Sequence, residues 1–237
     1  MSSTSASRSH LYSIISPQNT LPLYSSVIFV DWHGVLSRDQ FWSSVLCNPS
    51  HPYQARLSHS MTKLFGSCNE VTTKWMLNQI TSKDIVDLFL SEWGVSNTDK
   101  EFIRSQLLGI LAADCRKMRV DSRLVGLLSE LRQKAFVVLA TDNMDCFAAA
   151  LEVRPKIRSL FDSVICSCSE GVLKSHNPKR FFHPWLKSHG LTFSSAILID
   201  DSISNCQAFR GLGGSAIHAN SSADVEMKIA KLIESAA

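Results

Sequence analysis

At 237 residues, with 45% hydrophobic and 19% charged side chains, the chain has enough apolar material for one substantial core and is not disordered by composition. A net charge of +3 is too weak to point to nucleic acid or an anionic membrane, and residues such as Lys179, Arg180 and Lys187 are scattered as on a solvated face. No apolar run approaches the roughly 18–20 residues of a spanning helix, so a soluble protein is expected.

The first twenty residues are Ser-rich, and the first carboxylate of the chain is Asp31. Such a segment suits a flexible tail, taken as residues 1–21, or an organellar transit peptide. The single Arg8 and the lack of an amphipathic period favour the tail, and with it a cytoplasmic protein. Val27-Ile28-Phe29-Val30 is a continuous apolar run ending at Asp31, the pattern of a buried parallel strand.

From about Ser37 to Arg119 the pattern turns wholly helical, with segments at Asp39–Cys47, Gln54–Leu64, Glu70–Ile80, Lys83–Trp93 and Asp99–Ala113. Thr81 or Ser82 and Thr98 are candidate caps, and Gly94 is a candidate terminator. Trp42, Trp75, Trp93 and Phe102 fit core positions better than a pocket. Strands then alternate with helices. The strands are Ala135–Ala140 ending at Thr141, Ser163–Ser167, Ala196–Ile199 ending at Asp200, and Ser215–His218. The helices run from Asp121 to about Lys134, from Asn143 to about Val153, from Asn177-Pro178 to Gly190, from Ser202 to near Gly211, and from about Ala223 to Glu234.

This order implies an α/β fold: a doubly wound parallel sheet with an inserted all-helical cap domain. The core comprises residues 22–37 and 119–237, and the cap residues 38–118. The seven cysteines show no repeated CxxC spacing, which argues against a zinc site and fits free thiols in a reducing compartment. Cys166-Ser167-Cys168 falls at a strand end.

Ligands of open parallel sheets bind beyond the carboxyl ends of the strands. The residues closing those strands here are Asp31, Thr141 and the pair Asp200-Asp201. A lone Asp after a strand is usually a turn or a cap. Acids gathered from separate strands instead repel one another unless a cation neutralises them, and an oxygen set with no His or Cys cluster suits magnesium.

Four motifs then resemble those of the haloacid-dehalogenase-like (HAD) hydrolase superfamily, over nearly the whole chain after residue 22. Val27–Leu36, reading VIFVDWHGVL, resembles the first motif, and Val137–Thr141 the second. Glu170–Lys174, ahead of Asn177-Pro178 and Phe181, resembles the third, and Ile197–Ser202 with Asn205 the fourth. The helical insert stands where that family carries its cap. The resemblance implies a magnesium-dependent phosphatase acting on a small phosphorylated molecule through an aspartyl-phosphate. Asp31 would be the nucleophile and a metal ligand, with Asp200 and Asp201 completing the ion site. Lys174 would neutralise the nucleophile and the phosphoryl oxygens, with Lys179 as the competing lysine. Thr141 and the amide of Asp142 would orient those oxygens. His33 stands where the family's phosphatases carry a second Asp as general acid and base, and its carbonyl would serve the metal.

His33 leaves alternatives open. Imidazole can donate and then accept a proton near neutral pH. Equally, the change marks a catalytically silent binding module or a phosphonate- or carbon–halogen-cleaving enzyme. The family's dehalogenases need no metal, which the Asp200-Asp201 pair argues against. Its phosphonate-cleaving members need a cap lysine, for which Lys63, Lys74 and Lys83 are the available residues.

Overall fold

The computed structural model describes residues 25–67 and 69–235; the tail expected at residues 1–21 lies outside them. Five strands, β1 (Val27–Val30), β2 (Phe136–Thr141), β3 (Ser163–Cys166), β4 (Ala196–Asp200) and β5 (Ser215–His218), form one parallel sheet in the order β3-β2-β1-β4-β5. Chain direction across the sheet reverses between β1 and β4, so these two ends frame the switch point where such sheets bind ligands. Both faces are covered, which is why the strand sequences run apolar without alternating with polar residues. The pleat sends Val27, Phe29, Phe136, Val138, Ala196 and Leu198 to one face and Ile28, Val30, Val137, Leu139 and Ile199 to the other.

The first face packs on α10 (Pro178–Ser188) and α11 (Ile203–Arg210) through an aromatic cluster. Phe182 lies 4.9 Å from Phe29 and 4.8 Å from both Phe181 and Phe209, centroid to centroid. The second face packs on α6 (Ser122–Leu131) and α12 (Ser222–Ser235). Its apolar cluster continues into five helices inserted between β1 and α6: α1 (Ser43–Leu46), α2 (Gln54–Gly66), α3 (Asn69–Met76), α4 (Ser82–Glu92) and α5 (Asn97–Lys117). None of the described helices is long and apolar enough to cross a membrane.

Local chemistry explains where the helices depart from expectation. Helix α1 starts at Ser43, not Asp39, because Trp42 is left-handed (φ 52°) and breaks the run. That conformation is held by full burial of the indole and its 2.8 Å hydrogen bond to the Leu107 carbonyl. Asp39 bonds Arg119 instead. Helix α3 stops at Met76 rather than Ile80, ahead of a left-handed Asn78. Thr81 caps α4 with a capping box as expected, but Ser96, not Thr98, caps α5. Asn143 caps no helix; a 3₁₀ turn at Asp145–Phe147 leads into α7 (Ala148–Glu152). Two four-residue helices, α8 (Pro155–Arg158) and α9 (Ser167–Glu170), are too short to leave a period in the sequence. Trp42 and Trp75 are core residues as expected, whereas Phe102 is 66% exposed. The buried stripe of α5 runs through Leu107, Leu111 and Cys115, and Phe102 projects from another side.

Phe182→Ala should cost about 3–5 kcal/mol of folding stability, because the aromatic cluster cannot collapse around the void. Urea denaturation measures this loss.

Candidate active site

Strand β1 ends where backbone pairing hands over to side-chain chemistry. The Asp31 amide still donates to the Ile199 carbonyl at 2.9 Å, so the residue continues the ladder to β4 while its carboxyl leaves the sheet. One oxygen, Oδ1, accepts from the Trp32 amide at 2.7 Å; the other, Oδ2, lies 2.9 Å from Lys174 Nζ. The Lys174 ammonium is wholly buried and reaches Asp200 Oδ2 at 2.5 Å and the Ala140 carbonyl at 3.1 Å. An ammonium has three protons, and three oxygens from the ends of β1, β2 and β4 accept them. Lys174 is thus the point at which three strand ends meet.

Asp200 is as fully engaged. Its Oδ1 accepts from the Ser202 amide at 2.9 Å and from Asn205 Nδ2 at 3.0 Å, while Oδ2 takes Lys174. Asp201 points to the exposed side of the same turn, and one oxygen each of Asp31, Asp200 and Asp201 fall within 4.8 Å of one another. Gly34 makes this approach possible: at φ 76° it lies so close to Asp201 that any Cβ would overlap the carboxylate.

The electrostatics follow from burial. Desolvation pushes the Asp31 carboxyl up to about 8, against the pull of Lys174 and with a further push from Asp200. Below that pH the 2.9 Å contact is an ammonium donating to a neutral carboxyl. Three carboxylates around it hold Lys174 above its ordinary range in spite of burial. Asp142 and Asp201 are also raised, each mainly by desolvation. The donor set fits a hard divalent cation: oxygens only, an excess of acid over base, and an open side at Asp201. Asp31 and Asp201 retain the lone pairs to ligate it, whereas Asp200 is saturated by its own hydrogen bonds.

The remaining expected residues fall around this cluster at different distances from it. Thr141 is buried at the end of β2, its hydroxyl met by Asn143 Nδ2 at 3.5 Å. Asp142 is half-buried, and its carboxylate accepts the Lys174 amide at 3.1 Å, so it fixes the lysine's segment through a side chain where a role for its backbone was expected. His33 is exposed on the loop after β1, where a protonated imidazole would lower the Asp201 carboxyl. Lys179 is exposed on α10, whereas Lys174 is wholly buried against Asp31 and Asp200. In the insert, Lys63 pairs with Glu92 and Lys74 with Glu70, and Lys83 is exposed. The sequence places Gly34 within the first motif and Ser167 between two cysteines but gives neither a structural role; a glycine three residues after a strand-closing Asp is the available signal for the first.

This combination of a parallel sheet with acids at its switch point defines a class of α/β fold, and comparison with solved structures narrows it. A predicted HAD-like family hydrolase from Porphyromonas gingivalis superimposes with a TM-score of 0.65 at 13% identity, covering 88% of this chain and 97% of that one. A HAD family enzyme from Bacteroides thetaiotaomicron, in complex with magnesium and inorganic phosphate, gives 0.59 at 18% identity over 83% and 96%. An L-2-haloacid dehalogenase from Xanthobacter autotrophicus, with chloropropionic acid covalently bound, gives 0.59 at 14% identity over 81% and 76%. No protein-family model and no curated protein matches the sequence. The chain therefore has the fold of the haloacid-dehalogenase-like hydrolases, as its motifs led one to expect.

Lys174→Met should destabilise the protein by about 3–5 kcal/mol at pH 8, because it strands buried carboxylates without their cation. The loss should shrink toward pH 5, where Asp31, raised to about 8, is protonated; denaturant titrations at both pH values check it. A folded-state pKa raised to about 8 also means that metal-free Asp31 keeps its proton until then. A divalent cation held by Asp31 would have to displace that proton, so any affinity for magnesium measured by calorimetry should rise between pH 6 and 8 and then level off.

Proposed function

We propose that the chain is a magnesium-dependent hydrolase of the HAD type, a phosphatase acting on a small phosphorylated molecule through an aspartyl-phosphate. The observation that carries this reading is the meeting of Asp31, Asp200 and Asp201 around one site with the buried Lys174 ammonium between two of them. Asp31 and Asp201 would hold the ion directly, with the His33 carbonyl beside them and Asp200 supporting through its fixed hydrogen bonds. The ion, when bound, supplies positive charge that keeps Asp31 ionised and balances the phosphoryl oxygens.

The chain's own residues then divide the work. Asp31 Oδ attacks phosphorus, and the bond to the leaving-group oxygen breaks as that oxygen takes a proton from His33. A water next attacks the phosphorus of the aspartyl-phosphate, giving its proton to His33 and freeing Asp31 and inorganic phosphate. Lys174 stabilises the charge building on the transferring oxygens, and Thr141 with the Asp142 amide orients them. Residues 38–118 act as a cap over the strand ends. Support for that comes from contacts bridging insert and core: Trp75 Nε1 and Ser82 both donate to Asp145 just after β2.

A silent binding module is the less favoured reading, because Asp31, Lys174 and Asp201 are all retained. A metal-independent dehalogenase would have no use for Asp201. With an aryl phosphate and magnesium, Asp31→Asn should abolish hydrolysis, and His33→Ala should lower kcat by roughly 10²–10⁴. Full activity in Asp31→Asn would remove the nucleophile from the mechanism.

A further inference from the structure

Strand β3 ends in chemistry that the proposed reaction leaves unused. Cys166 closes the strand, Cys168 lies in the first turn of α9, and their sulfurs stand 3.2 Å apart. A disulfide requires about 2.05 Å, so bond formation needs an approach of only about an ångström. Both cysteines are buried, Cys166 at 1% and Cys168 at 9% exposure, and Cys168 is the outer of the two, next to the exposed Ser169. We propose that Cys166 and Cys168 form a reversible disulfide site, oxidised by a hydroperoxide and restored by a thiol reductant.

The step balances within the pair and its oxidant. The Cys168 thiol gives up its proton, its thiolate attacks the peroxide oxygen, the O–O bond breaks, and a sulfenic acid forms as the alkoxide or hydroxide leaves and takes up that proton. The Cys166 sulfur then attacks the Cys168 sulfur, the S–O bond breaks, and hydroxide leaves as water with the Cys166 proton. Two thiols lose two electrons to the peroxide. The roles follow from the environment: the Cys166 thiol steadies the Cys168 thiolate and holds its pKa below the ordinary value, while Cys166 is raised.

What the bond would change is set by the residue between the two sulfurs. Ser167 is fully buried; its Oγ accepts from the Asn143 amide at 2.9 Å and donates to the Met76 carbonyl at 2.8 Å. Cys166 Sγ also lies against the Asn143 carbonyl. One serine thus joins the loop carrying Thr141 and Asp142 to the end of α3 in the insert. Closing a ring across it shifts both partners, and this consequence for catalysis rests on the function proposed above. A 1 Å displacement of a positioning group can cost roughly 10²-fold in rate.

The test uses the full chain, reduced and then exposed to hydrogen peroxide, with free thiols alkylated before peptide mapping. The expected result is an unalkylated peptide holding Cys166 and Cys168, about 2 Da lighter than its reduced form and regenerated by dithiothreitol. It should be absent from Cys168→Ser, which keeps the wild-type melting temperature. Aryl phosphate hydrolysis should fall roughly 10–100-fold on oxidation in the wild type alone and recover on reduction. Alkylation of both cysteines at peroxide doses that consume the exposed Cys47, or a bond joining Cys115 to Cys146 instead, would overturn the site. A disulfide formed without any change in rate would overturn the coupling. A chain inactive in both redox states would count against the phosphatase reading, while the mapping would still decide the disulfide.

Discussion

One buried ammonium holds the carboxyl ends of the sheet together. Lys174 is dehydrated completely, a cost that only complete pairing can offset, and its three protons go to Asp31, Ala140 and Asp200. Because these acceptors end three different strands, the lysine's placement depends on β1, β2 and β4 being in register. The register in turn depends on two apolar faces that the pleat divides cleanly. Packing therefore sets the geometry, and the geometry sets the charge balance.

That balance is incomplete. One lysine faces Asp31, Asp200 and Asp201, with Asp142 close by, and burial raises Asp31, Asp142 and Asp201 alike. A site of this kind stores electrostatic cost in the metal-free state and releases it when positive charge arrives. Asp200 and Lys174 are saturated by hydrogen bonds, while Asp31, with a single partner on each oxygen, and Asp201 keep unused lone pairs. The division of labour among chemically similar acids thus follows from which lone pairs are already occupied.

The strands were legible in the sequence because each is a short apolar run ending in a polar residue, and β1 and β5 match their expected bounds residue for residue. Helices with good caps were legible too, as at Thr81, Asp121 and Asn177. What escaped were features decided by tertiary contact: the left-handed Trp42, held by the Leu107 carbonyl, and the two short helices α8 and α9. Motif context named Asp31, Lys174, Asp200 and Asp201, which the fold brings together, but not which of their atoms meet. The Asp142 side chain fixing the Lys174 amide, and Ser167 bridging Asn143 to Met76, depend on loops from distant parts of the chain. No local pattern encodes such meetings.

The central claim, that acids from separate strands share one divalent ion with Lys174 as their counter-charge, is tested most directly by a crystal structure grown with magnesium and a phosphate mimic. The account predicts an ion bridging Asp31 and Asp201, with the mimic's oxygens on Lys174 Nζ and near the Thr141 hydroxyl. Density without an ion under saturating magnesium, with the Asp31–Lys174 pair closed as it is now, would contradict it.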